Sequence, residues 1–136
     1  MVTVVISDIH GRDIWKKIVE KNKDADKVLF IGDFWDSFDI PYIQQKHNFK
    51  EIIEFKESNP DKVILLFGNH EFHYHRSAQE KYSGFQSIHR IDIADQLHSA
   101  LDKELIQMCH IHDKILFVHA GVTKTWCADN NINLNK

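Results

Sequence analysis

The sequence is poor in the residues that mark specialised protein classes. It has 2 cysteines in 136 residues. Cys109 and Cys127 stand at neither CxxC nor zinc-ribbon spacing, so no disulfide framework is implied and both read as reduced, packed thiols. With 2 prolines and 5 glycines, a collagen-like or low-complexity chain is excluded. Long apolar runs are missing too: Val4 to Ile6 and Val63 to Phe67 are strand-sized, far below the roughly 20 residues a bilayer span needs. The charge has no strong bias, with 17 basic and 20 acidic residues and a net charge of −3. No general positive field therefore exists to hold nucleic acid by counterion release. Met1 leads to Ser7 and Asp8 without a basic segment or a small-residue cleavage site, so the cytoplasm is the expected location and no membrane association is expected.

What remains is the composition of one globular domain, 43% hydrophobic and 11% aromatic, enough to bury a core. Histidine is over-represented, at 10 residues, and imidazole is the commonest metal ligand and proton shuttle.

Thr3 to Ile6 is a β-branched run that reads as a strand buried on both faces, ending in Ser7-Asp8-Ile9-His10-Gly11. Asp13 is placed to cap a helix carrying Ile14, Trp15, Ile18 and Val19. A second strand, Val28 to Ile31, is closed by Gly32-Asp33-Phe34-Trp35-Asp36. A helix over Tyr42 to Ser58 follows, with Ile43, Phe49, Ile52, Ile53 and Phe55 as its apolar side and Asn59-Pro60 as its stop. The third strand, Val63 to Phe67, runs into Gly68-Asn69-His70-Glu71. His73 to Phe85 has no clean period and reads as a loop, with Tyr82 to Gln86 placed to wall a cleft and His73 and His75 exposed. A helix from about Ser87 to Lys103 carries Ile88, Ile91, Ala94, Leu97 and Leu101. Leu105 to His112 and Lys114 to His119 read as two strands joined by a tight turn at Asp113, the second ending in His119-Ala120-Gly121. The Asn-rich tail from Asp129 is expected to be weakly structured. Trp15, Trp35 and Trp126 read as core or rim aromatics.

Strands alternating with helices imply an α/β fold whose first three strands lie parallel, joined by right-handed crossovers. Their C-terminal ends then form one edge, where active sites of open sheets lie. Asp8, His10, Asp33, Asn69 and His119 all fall on such ends. Carboxylate, amide and imidazole donors suit divalent ions such as manganese, iron or zinc rather than thiolate chemistry. Two carboxylates about 5 Å apart repel by roughly 3 kcal/mol at an effective dielectric near 20, and Asp36 adds charge of the same sign. A pair of divalent ions would balance them, with Asp33 able to offer one oxygen to each.

The ordered motifs Asp8-x-His10-Gly11, Gly32-Asp33-x-x-Asp36, Gly68-Asn69-His70-Glu71 and His119-Ala120-Gly121 resemble those of the calcineurin-like metallophosphoesterases. The likeness is greatest to the phosphoprotein-phosphatase branch with its bacterial and phage members. The resemblance implies the N-terminal part of a β-sandwich flanked by helices. It implies one metal held by Asp8, His10 and Asp33, a second held by Asp33, Asn69 and His119, and a hydroxide between them that attacks phosphorus. It further implies His70 as general acid, with Asp36 orienting its imidazole. Glu71 reads either as support behind the ligands or as a helix-start charge.

Two departures follow from the same comparison. The arginine that relatives place after the second motif is replaced by Ser37-Phe38-Asp39, leaving Arg76, Lys81 and Arg90 as alternatives for gripping phosphate. Relatives also continue to a later Gly-His motif that completes the second metal site, so the chain is expected to be incomplete there, with His110 and His112 as the nearby imidazoles. The expected substrate is a phosphorylated small molecule, a nucleotide or a phosphoprotein. Two other readings stay open: a phosphodiesterase or dinucleoside-polyphosphate hydrolase, and a catalytically silent metal-binding remnant.

Overall fold

The computed structural model describes residues 1–129 and 131. Four parallel strands form the central sheet: β1 (Thr3–Ile6), β2 (Lys27–Phe30), β3 (Val63–Leu66) and β4 (Ile106–Gln107), in that spatial order. Helices α1 (Ile14–Lys21) and α2 (Tyr42–Ser58) supply the first two crossovers. The third crossover holds the short α3 (Asn69–Phe72) and the longer α4 (Arg90–Asp102). An antiparallel hairpin of β5 (Cys109–His112) and β6 (Ile115–Val118) follows, then α5 (Lys124–Asp129). This is the expected α/β fold with a parallel sheet flanked by helices. No helix among the described residues is long and apolar enough to cross a membrane.

The sheet is parallel because its strands are buried apolar runs joined by helices. Val28, Leu29, Phe30, Val63, Leu65 and Leu66 are fully buried, each side chain stabilising the fold by about 1.5–3 kcal/mol. Trp15, Phe34, Phe49 and Ile52 join Val28, Phe30, Val63 and Leu65 in one core, while Leu29 and Leu66 pack with Ile64 in a second, smaller cluster. The expectation that the first strand is covered on both faces is not met: β1 is an edge strand, and Val5 is exposed. Among the described residues its neighbour is β2, which pairs in register Val4 to Val28 and Ile6 to Phe30.

Three further expectations are corrected. The apolar side of α2 omits Ile43, which is exposed, and its buried face includes Gln45 and Asn48 instead. Burial is possible because both amides are bonded: Asn48 Oδ1 accepts from Trp15 Nε1 at 2.8 Å, and Gln45 donates to the Ile40 carbonyl at 2.6 Å. On α4 the core face is Ile93, Leu97 and Ala100, while Ile88 and Ile91 lie in solvent. The single strand expected over Leu105 to His112 divides at exposed Met108. Its first half completes the parallel sheet, pairing Leu65 with Ile106, and its second half turns into the hairpin.

The hairpin turn does form at Asp113. Asp113 and Lys114 have φ of 48° and 65°, the left-handed pair of a two-residue type I′ connection. The tail begins later than expected, since Asp129 closes α5. Its remainder lies mostly outside the described residues.

Candidate active site

The loops after β1, β2 and β3 and the end of β6 meet at one edge of the sheet. His10 N–H donates to the Asp33 carbonyl at 2.8 Å and Gly11 N–H to the Phe34 carbonyl at 2.9 Å, fastening the first loop to the second. Two glycines allow the approach. A Cβ on Gly68 would lie 2.3 Å from Asp33 Oδ1, and one on Gly32 would lie 2.7 Å from the Gly68 nitrogen and 2.9 Å from His119 Nδ1.

Backbone strain is concentrated here. Asp8, His10, Asp33 and Asp36 have φ of 51°, 41°, 59° and 70°, a left-handed region that costs L-residues roughly 1–2 kcal/mol each. Asp and His tolerate it better than bulkier side chains, and such strain clusters at functional sites.

Asp33 is buried between two imidazoles. Its Oδ2 lies 3.9 Å from His10 Nε2, and its Oδ1 lies 3.4 Å from His119 Nε2. Each ring is held through its other nitrogen: His10 Nδ1 donates to the Trp35 carbonyl at 2.7 Å and His119 Nδ1 to the Ile31 carbonyl at 2.6 Å. A carbonyl can only accept, so Nδ1 carries a proton, and it is Nε2 that each ring turns toward Asp33, where the neutral form offers a lone pair. Fixing one nitrogen on a carbonyl while the other faces a cation is the arrangement of metal-ligating histidines. His119 Nε2 also lies 2.9 Å from Asn69 Oδ1. This set of facing acceptors fits a cation. Asp8 occupies the end of β1 but is exposed and belongs to neither close cluster of ligand atoms found among the described residues, which are His10, Asp33 and His70, and Asp36, His70 and His73.

His70 faces the same space, its ring 4.9 Å from that of His10, edge to face. Its backbone N–H donates to Asp33 Oδ1 at 3.1 Å, and its Nδ1 is bonded to Asp36 Oδ2 at 2.9 Å. Asp36 is buried and receives more than the sequence suggested. Tyr74 Oη donates to Oδ1 at 2.5 Å, Gln86 Nε2 donates to the same oxygen at 3.2 Å, and His73 Nε2 approaches Oδ2 to 2.5 Å. Burial pushes the Asp36 carboxyl up, but contacts from His73, Tyr74, His70 and Gln86 together outweigh it and leave the pKa below the usual range.

His73 therefore departs from its expected place in an exposed loop. It is buried, and its Nδ1 accepts the Tyr82 N–H at 3.0 Å, which leaves Nε2 as the protonated nitrogen facing Asp36. Spacing held the missed signal: His70, His73 and Tyr74 stand three and four residues apart, on one side of a helical turn. His75 is half-buried beside Phe72 and His98.

Glu71 both supports the site and caps a helix. It is fully buried, and its carboxylate accepts the N–H groups of Asp33 at 2.8 Å, Phe34 at 2.7 Å and Gly68 at 2.9 Å. One side chain thus ties the second loop to the third. Burial, and then the neighbouring Asp33 carboxylate, push Glu71 up to about 8 against the pull of those three bonds.

The cations left open by the sequence have, among the described residues, no hydrogen bond or ion pair to those of the site. Lys81 Nζ sits 4.6 Å over the Phe85 ring, while Arg76 and Arg90 are exposed. His112, paired with Ile115 beside the hairpin turn, turns Nε2 toward Met1 and Asp113, and His110 is bonded through Nδ1 to Gln107.

The chain is 24% identical over 147 aligned residues to the symmetrical bis(5'-nucleosyl)-tetraphosphatase of Methylobacillus flagellatus, a match covering 100% of this chain and 49% of that protein. It thus spans about half the length of the curated relative it matches. The family model described as calcineurin-like phosphoesterase matches residues 1–136. With its motifs gathered at one sheet edge, the chain belongs to the calcineurin-like phosphoesterase family.

Proposed function

We propose that this protein hydrolyses phosphate esters with two divalent ions, manganese, iron or zinc, held by Asp8, His10, Asp33, Asn69 and His119. The observation that carries the reading is Asp33, whose two oxygens each face the free nitrogen of a tethered imidazole. A carboxylate so placed is suited to serve one ion with each oxygen, His10 and Asp8 completing one side and Asn69 and His119 the other. Such ions supply positive charge for phosphate oxygens and an activated water as nucleophile.

The chain's own residues then have separate tasks. Asp36 holds His70 through Nδ1 at 2.9 Å, leaving Nε2 as the atom that delivers a proton to the departing alkoxide or phenoxide. Tyr74, Gln86 and His73 keep the Asp36 carboxylate in place. Glu71 holds the loops bearing Asp33 and Asn69 together, so that the ligands are positioned before any ion arrives.

Phosphomonoesters are the favoured substrates. The relative's activity on a dinucleoside tetraphosphate supports a second reading, hydrolysis of a dinucleoside polyphosphate. Purified protein supplied with manganese is tested on p-nitrophenyl phosphate, bis-p-nitrophenyl phosphate and diadenosine tetraphosphate. Turnover of the first, together with hydrolysis of an alkyl phosphate that is lost in His70→Ala, supports the monoesterase. Preference for the tetraphosphate supports the second reading. Ions bound with no turnover of any substrate would contradict both and leave a metal-binding module.

A further inference from the structure

We propose that Arg12 grips the substrate phosphoryl group, with Asp39 holding its guanidinium ready at the mouth of the site. This rests on the phosphoesterase reading above. A cavity of about 500 Å3 opens beside the proposed general acid and is lined by His10, His70, Asp36, Arg12 and Asp39, among others. Among the described residues, Arg12 is the one Arg or Lys on its wall. A phosphate that enters this cavity to reach His10 and His70 passes along a wall that carries Arg12.

The guanidinium is both oriented and available. Nη2 donates to Asp39 at 2.8 Å and 3.1 Å, and Ser37 Oγ donates to Asp39 Oδ1 at 2.6 Å, fixing the carboxylate. Nη1 has only a 3.5 Å contact with the His10 carbonyl, too long to count for much. Of the five N–H donors of an arginine, those on Nε and Nη1 remain for a second anion, and both planar forks that suit phosphate also use Nη2, so a bidentate grip takes that nitrogen from Asp39. Both partners of the ion pair are largely exposed, and such pairs hold weakly, so yielding part of the guanidinium to a phosphate dianion costs little. The position of Arg12 is also well set, since its neighbour Gly11 is bonded to Phe34 and its own carbonyl accepts from Asn48 Nδ2 at 3.2 Å.

The test compares wild type, Arg12→Ala, Arg12→Lys and Arg76→Ala, all loaded with manganese. Measured are KM for p-nitrophenyl phosphate, competitive inhibition by inorganic phosphate, and phosphate and manganese affinities by calorimetry. Arg12→Ala is expected to raise KM and weaken phosphate about tenfold, the loss of an exposed charge-assisted contact. Arg12→Lys should fall between it and wild type, and Arg76→Ala should match wild type, with manganese affinity the same in all. Unchanged phosphate affinity in Arg12→Ala overturns the proposal, as does a loss of manganese affinity that accounts for the change. If wild type hydrolyses nothing, the functional reading fails, while calorimetry with phosphate still decides the role of Arg12.

Discussion

Nε2 of His119 lies 2.9 Å from Oδ1 of Asn69 while the opposite ring nitrogen is committed to the Ile31 carbonyl. Two acceptors are thereby aimed at one point, and Asp33 Oδ1 adds a third, 3.4 Å from the same nitrogen. A proton or a cation between them removes the repulsion. Divalent ions should therefore stabilise the fold: manganese at about a hundred times its dissociation constant adds roughly 2.7 kcal/mol, or about 10 °C in Tm for a domain of this size. Thermal unfolding with manganese and with EDTA checks this, and equal Tm values would count against a metal centre.

Glu71 has a structural cost attached to its loss. Its carboxylate satisfies three backbone N–H groups of two loops in a fully buried position. Glu71→Ala leaves them unpaired and should destabilise by about 3 kcal/mol or more, since each orphaned donor costs roughly 1–3 kcal/mol. Glu71→Gln retains one acceptor oxygen and should cost less. Urea unfolding measures both, and a loss below about 1 kcal/mol for Glu71→Ala would deny the role.

General-acid action by His70 has a leaving-group signature. An alkoxide must be protonated as it departs, whereas p-nitrophenolate leaves readily without help. His70→Ala should lower kcat by about 10²–10⁴-fold on an alkyl phosphate and markedly less on p-nitrophenyl phosphate. Asp36→Asn should follow the same order with smaller losses. Equal losses on both substrates would assign His70 another task.

Much of this was legible in the residues and some was not. Strand-end motifs such as Gly32-Asp33 and Gly68-Asn69-His70-Glu71 stand directly after apolar runs, so the strand boundary locates them. The surroundings of Asp36 are harder to read. Gln45 lies on a helix and Gln86 in a loop, yet both are drawn inward, Gln45 Oε1 accepting from Asp36 N–H at 3.0 Å and Gln86 Nε2 bonding the Asp36 carboxylate. Hydropathy assigns such amides to solvent because it prices them unpaired; a partner from a distant segment reverses the sign. His73, expected in an exposed loop, is buried for the same reason. Ile43 and Ile91 show the converse, apolar side chains left outside because their helices turn other faces inward, and Ile88 lies exposed in the turn before α4.

Two histidines should weaken the fold in mildly acidic solution, against the opposite contribution of Glu71, whose folded carboxyl is raised to about 8. Burial, then Arg76 and His75, hold His98 below its ordinary value of 6.5, and burial, then His112, Lys27 and Lys56, do the same to His110. Nε2 of each is buried without a hydrogen-bond partner. As pH drops through 6.5 the unfolded chain takes up these protons before the folded one. The stability these groups contribute is thus present above 6.5 and is lost as pH falls toward their lower folded values. Between pH 7.5 and 5.5 the urea midpoint of the wild type should move downward relative to that of His98→Gln/His110→Gln, Glu71 acting alike in both. An equal change in both proteins would contradict the assignment.

The central claim is that side chains from four separate strand ends form one two-ion centre around Asp33. Calorimetric titration of metal-free protein with manganese tests it most directly. Two ions per chain are expected in the wild type, one in His10→Ala, one in His119→Ala, and severe weakening of both in Asp33→Ala. Wild-type stoichiometry retained in Asp33→Ala would contradict it.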